Sequence, residues 1–249
     1  MEAKQKFILH LADNALILGQ RIAEWCGHGP VLEQDIAMTN MSLDLIGQSR
    51  LYYQYIAELN GGGMTEDNLA FLRKEHEYLN CLLVEQPNGD FGKTIVRQFF
   101  YDVFHYLQLD LLSRSNDVQL AAIAVKSLKE VKYHLNYSSN WVVRLGDGTA
   151  ESRTRMQKAV DTLWKYTGEL FEWTDYEKKA VSEGILPTPD KLEEEWSNQV
   201  YKVLEEATLD IPRIPYMQTG GKNGRHTEHM GFILTELQYM QRAYPGLEW

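Results

Sequence analysis

A chain of 249 residues with 25 Lys and Arg against 35 Asp and Glu carries a formal charge of −10, with a pI near 5.2. That length allows one large domain, or one helical bundle with appended helices, burying roughly three quarters of the surface an unfolded chain exposes. The acidity argues against nucleic acid as a partner, since phosphates need a Lys/Arg stripe and the sequence has none.

Apolar residues in steps of three and four dominate the chain. Ile8, Leu11, Ala15, Leu18, Ile22 and Trp25 mark the inner face of a first helix, which Gly27, Gly29 and Pro30 end. A second helix is expected over about 32–59, stopped by Gly61-Gly62-Gly63, with Thr65 and Asn68 placed to start the next. That third helix is expected over 68–85, closed by Pro87-Asn88-Gly89. Long helices follow over 93–113 and 117–144, then the turn Gly146-Asp147-Gly148. Thr149 to Ser152 offers a cap for a helix reaching Trp173. Pro187 and Pro189 break the chain before an acidic helix over 191–206, and a last helix is expected over 226–243. No sustained period-two run appears, so the chain reads as an all-α protein.

Residues 209–225 differ in texture. Ile211-Pro-Arg-Ile-Pro-Tyr216 and Thr219-Gly-Gly-Lys-Asn-Gly224 suit neither helix nor ordinary strand. Two readings stand: an extended arm across the bundle or onto a partner, and a loop packed on its own domain. Cys26 and Cys81 lack disulfide or zinc spacing and are expected to be buried free thiols in a reducing cytosol. The first residues run into an amphipathic helix rather than a signal peptide, and no apolar run is long enough to span a membrane. The expectation is a soluble, cytoplasmic protein without a membrane partner.

Asp44-Leu45-Ile46-Gly47-Gln48 and Lys129-Glu130-Val131-Lys132-Tyr133-His134 each lie in a long helical pattern. They look like the metal-binding turns of a di-iron helical bundle with most ligands removed. Such turns carry Glu-x-x-His, a carboxylate and an imidazole on one inward face, and two further helices add single Glu residues. No Glu in this chain is followed three positions later by His. Placing that frame here puts the paired slots on Leu45 with Gln48 and on Val131 with His134. An equal spacing of 29 residues (45 minus 16, 131 minus 102) puts the single slots on Leu16 and Asp102. Only Asp102 and His134 among the six could ligate metal, and two ligands cannot hold two irons. A dry core with one Asp–His or His–Gln hydrogen bond is expected instead.

Other clusters have weaker claims. Asp102-Val-Phe-His105 with Glu130 and His134 could form a shifted metal site, but it lacks counterparts on the first two helices. Glu75, His76 and Glu77 point in different directions and read as a solvated face. His226-Thr-Glu-His229 reads either as a chance zinc pair or as a helix start packed on a neighbour. No nucleophile elbow, phosphate loop or dinucleotide fingerprint is present.

The residues Asp44 to Arg50, Ala122 to His134, Trp141 to Gly148, His226 to His229 and the closing Tyr244-Pro-Gly-Leu-Glu-Trp249 resemble the structural-subunit family of bacterial ring-1,2-phenylacetyl-CoA epoxidases. The resemblance covers nearly the whole chain. It implies a ferritin-like helical bundle: a single domain over 1–249 with a four-helix core in 1–148, then additional helices and the arm (209–225) in 149–249. It also implies a non-catalytic subunit with no cofactor of its own, supporting a di-iron catalytic sister subunit. That heteromer uses dioxygen and a separate NADPH-dependent reductase in phenylacetate breakdown. The competing expectations are a self-sufficient metal-dependent oxygenase or ferroxidase with an unusual ligand set, and a self-associating ferritin-like binding protein.

Overall fold

The computed structural model describes residues 1–247, so Glu248 and Trp249 of the closing motif lie outside the described residues. Among these residues the α-helices are α1 (Ala3–Ala23), α2 (Leu32–Asn60), α3 (Glu66–Phe71), α4 (Phe91–Leu112), α5 (Val118–Gly146), α6 (Ala150–Leu163), α7 (Asp175–Ser182), α8 (Leu192–Glu206) and α9 (Glu228–Ala243). No strand occurs among them, and none of these helices is long and apolar enough to cross a membrane. The all-α expectation holds. The chain divides into two compact units, one of residues 1–86, 174–179 and 220–249, the other of residues 87–173 and 180–219.

In the first unit, α1 is buried from Phe7 to Leu18 without interruption. A helix enclosed on every side must satisfy its polar side chains internally. His10, Asp13 and Asn14 do so by binding the backbone of 79–81. Asp13 Oδ2 accepts from Leu79 N at 2.8 Å, Asn14 Oδ1 accepts from Cys81 N at 2.9 Å, and His10 Nδ1 donates to Leu79 O at 2.7 Å. These bonds correct the expected third helix. It stops at Phe71, a single 3₁₀ turn follows at Glu75–Glu77, and backbone groups of Leu79, Cys81 and Glu85 bind α1 side chains rather than a helical ladder. On its other side α1 meets α2 at Gly19, where an added Cβ would lie 3.2 Å from Ile46 Cγ1 and 3.3 Å from Leu45 Cβ. Ser42 Oγ donates to Gly19 O at 2.9 Å at the same crossing.

In the second unit, α4 packs on α5, α6 and α8. Phe100, Trp164 and Trp196 cluster with ring centroids 5.5 to 6.0 Å apart, and the Trp196 indole N–H donates to Phe100 O at 2.9 Å. The helix expected to reach Trp173 ends at Leu163 and continues as 3₁₀ turns at Trp164–Tyr166 and Gly168–Phe171. Thr167 Oγ1 donates to Trp164 O at 2.8 Å, and Gly168 is pressed against Met217, so the tighter turns are locked in place. Apolar periodicity gives no sign of α7. Its signal is the pair Thr174 and Glu177, whose side chains exchange bonds with each other's backbone N–H.

Residues 209–225 contain neither α-helix nor strand, and parts of the stretch are bonded to residues of the same chain. In the second unit Asp210 N donates to Gln157 Oε1 at 2.8 Å and Gln218 N to Lys165 O at 2.7 Å. In the first, Gly220 to Lys222 are buried, and Tyr176 Oη donates to Lys222 O at 2.9 Å. Ile211 and Tyr216 remain exposed between these anchor points. The cysteine expectation is half corrected: Cys81 is buried, but Cys26 is exposed in the turn after α1.

Candidate functional site

The six residues expected at metal slots divide between the units, three in each. The two long hairpins repeat with a fixed offset: α2 and α5 both begin and end 86 residues apart (118 minus 32, 146 minus 60). The slots keep that offset, Leu16 to Asp102, Leu45 to Val131 and Gln48 to His134.

In the first unit Leu16, Leu45 and Gln48 are all buried, Leu16 on α1 and the other two on α2. Two alkyl side chains and a neutral amide offer no anionic ligand. Leu16 also lines a surface groove of about 210 Å³ with Ile46, Tyr53 and Phe71.

In the second unit Asp102, Val131 and His134 are also buried, on α4 and α5. Asp102 Oδ1 accepts from Gln98 Nε2 at 2.6 Å and Oδ2 accepts from Ser138 Oγ at 2.8 Å. Gln98 sits one turn before Asp102, and Ser138 one turn after His134. Asp102 is therefore held by a neighbour one turn away on its own helix and by a serine of α5. Burial pushes the Asp102 carboxyl up to about 7, against the pull of His134, Ser138 and Gln98. His105, also buried, is pushed down to about 3 by burial and by His134. A carboxyl raised and an imidazole lowered, each chiefly by burial, describe a low-dielectric interior.

These residues do not fit a di-iron centre. Leu16, Leu45 and Val131 cannot become ligands by any rotamer change, and Asp102 and His134 alone are too few to hold two irons. Among the described residues no group of three or more His, Cys, Asp or Glu is placed to hold a metal ion, including Asp102, His105, Glu130 and His134. The same holds for His226 and His229. His226 Nδ1 lies 2.8 Å from Glu85 Oε2, and its Nε2 donates to Tyr78 O at 2.9 Å. Thr227 N and Oγ1 donate to Glu85 Oε1 at 2.6 and 2.7 Å, so this motif is a helix start anchored on a buried carboxylate. Glu75, His76 and Glu77 are exposed, as a solvated face should be.

What periodicity missed is a set of buried ion pairs in the first unit. Arg73 forks onto both Asp13 oxygens, and Tyr53 Oη donates to Asp13 at 2.6 Å. Lys222 Nζ meets Glu177 Oε1 at 2.9 Å, with both side chains almost wholly enclosed. Burial works to raise the Glu177 carboxyl, but Lys222 and His10 outweigh it and hold it low. Burial likewise opposes protonation of His226, yet Glu85 raises it above the ordinary imidazole value. Arg73–Asp13 fastens 72–86 to α1, Lys222–Glu177 fastens α7 to the turn at 221–223, and His226–Glu85 fastens the start of α9 to 72–86.

The chain is similar to known proteins along its whole length. Residues 1–249 match the family model described as "Phenylacetic acid catabolic protein". A 1,2-phenylacetyl-CoA epoxidase subunit of Escherichia coli (strain K12) is 48% identical over 243 residues, covering 98% of this chain and 98% of that protein. The chain belongs to the phenylacetic acid catabolic protein family.

Proposed function

We propose that this chain is a non-catalytic structural subunit of a multicomponent oxygenase that epoxidises the aromatic ring of phenylacetyl-CoA. It supports a di-iron catalytic sister subunit served by an NADPH-dependent reductase in the cytoplasm. The observation that carries the reading is the burial of Leu16, Leu45 and Val131 at three of six metal slots. The name of the Escherichia coli relative supplies the reaction and the company of other subunits. The assignment of 1–249 to a single ferritin-like domain, with its four-helix core in 1–148, belongs to the same reading.

The test is the iron, manganese and zinc content of the chain purified alone from metal-supplemented medium, read beside turnover of phenylacetyl-CoA. Metal far below one ion per chain is expected. Turnover should require the sister subunit and the reductase together. Near two metals per chain, or oxygenation by this chain with reductase alone, would overturn the proposal in favour of a self-sufficient oxygenase.

A further inference from the structure

α2 has two apolar faces. Its inner face carries Met38, Met41, Leu45, Tyr52 and Ile56, all buried. Its outer face carries Leu32, Ile36 and Leu43, which are 71%, 51% and 61% exposed. At about 100° per residue these three fall in one narrow sector, and Gly47 falls in it too. The equivalent positions of α5, 86 residues on, are Val118, Ala122, Lys129 and Tyr133, with a charge and a large aromatic in place of Leu43 and Gly47. The repeat itself therefore does not demand the stripe.

Gly47 is the informative residue. A glycine in a helix interior costs stability relative to alanine, so it needs a reason. Gly19 has one: its missing Cβ lets α1 and α2 touch. A Cβ at Gly47 would meet nothing within 4 Å among the described residues. Gly47 ends this apolar run, with Arg50 and Gln54 following in the same sector, and an exposed glycine there lets a second helix approach α2 closely from outside.

We infer that the outer face of α2, crossed closest at Gly47, seats a helix of another oxygenase subunit whose apolar stripe is flanked by basic residues. The inference rests on the structural-subunit reading above. Charge selects that partner over a second copy of this chain. α2 carries Glu33, Asp35, Asp44 and Glu58 against the single guanidinium of Arg50, which is paired with Glu66 at 2.9 Å. Two copies of this face would oppose carboxylates to carboxylates, whereas a basic flank would match them.

The experiment co-expresses the full chain with the sister di-iron subunit and measures the dissociation constant of purified wild type, Gly47→Leu, Leu43→Glu and Gly47→Ala. Wild type should bind, and Gly47→Leu and Leu43→Glu should each weaken the heteromer tenfold or more. Gly47→Ala alone should melt at the wild-type temperature or above, which separates a lost interface from a lost fold. Equal binding by all four proteins would overturn the assignment of this face while leaving the structural-subunit reading standing. Failure of wild type to bind the sister subunit would overturn both. A homodimer of wild type that Gly47→Leu dissociates would overturn the choice of partner.

Discussion

Replacing Asp102 by Asn should stabilise the chain, by an amount that grows with pH. Asp102 is fully buried between Gln98 Nε2 and Ser138 Oγ, and burial raises its carboxyl from 3.8 to about 7. A carboxyl raised on folding binds more protons in the native than in the unfolded state. Stability then falls as pH rises from the unfolded value to the folded one, and the full cost is present above about 7. At about 1.36 kcal/mol per tenfold change, the full cost has a ceiling of roughly 4 kcal/mol. Between pH 5 and pH 8 the advantage of the variant should widen by roughly 3 kcal/mol.

Asn fits the same bonds. Its Oδ1 can accept from Gln98, and its amide can donate to Ser138 Oγ, whose own hydroxyl can turn to Leu135 O at 3.4 Å. For a chain of this length, about 3 kcal/mol corresponds to a melting shift of roughly 5–10 °C. Urea and thermal melts of both proteins at pH 5 and 8 measure it. An Asp102→Asn variant less stable than wild type at pH 8, or a gap indifferent to pH, would refute the reasoning. The experiment also bears on function: a carboxylate kept for a metal would make added Fe(II) or Zn(II) stabilise wild type, and Asn would abolish that effect.

The remaining predictions concern the first unit. Lys222→Met leaves the Glu177 carboxylate enclosed beside Thr174 and His10, and should cost about 3–5 kcal/mol in urea unfolding. Adding Glu177→Gln should recover part of that loss, and a double variant no better than the single one would deny the pair its coupling. His226→Gln removes an imidazole whose protonation Glu85 favours. A group raised on folding stabilises most below its unfolded value near 6.5 and loses that effect as pH rises through its folded value. The wild-type advantage should therefore shrink on going from pH 6 to pH 9, and a constant difference across that range would count against the His226–Glu85 pair.

The long helices are readable because each buries a stripe at helical spacing, and the paired turns at Gln48 and His134 lie within them. Two failures share a cause. The stretch 72–86 has helical spacing in its apolar residues, yet its backbone is claimed by His10, Asp13 and Asn14 from 66 or more positions away in sequence. The texture of 209–225 marks it as neither helix nor strand, but its attachment depends on Lys222 meeting Glu177, a contact with no local signature. α7 does have one, the Thr174 and Glu177 exchange, which is masked by the apolar periodicity that points to a helix reaching Trp173. For the slots, residue identity carries the chemistry, and the structure adds why Asp102 is tolerated. Gln98 and Ser138, helical neighbours of the slot positions, supply the hydrogen bonds a ligand set would otherwise replace.

The two hairpins share a register and differ in what fills it, and the difference follows from how polar groups behave in a bundle interior. Leu16 and Leu45 satisfy a buried slot by packing alone. Asp102 needs donors on both oxygens, and it has them from a residue four before it and from Ser138 on α5. At these slots the first hairpin keeps only the Gln48 amide, while the second keeps a carboxyl and an imidazole in a polar cluster with Gln98 and Ser138. The outer faces diverge in the opposite sense. α5 presents Lys129 and Tyr133 outward where α2 presents Leu43 and Gly47. On the proposed reading, the first hairpin has a contact face where a catalytic sister would have a ligand site, and the Gly47 and Leu43 variants test that exchange.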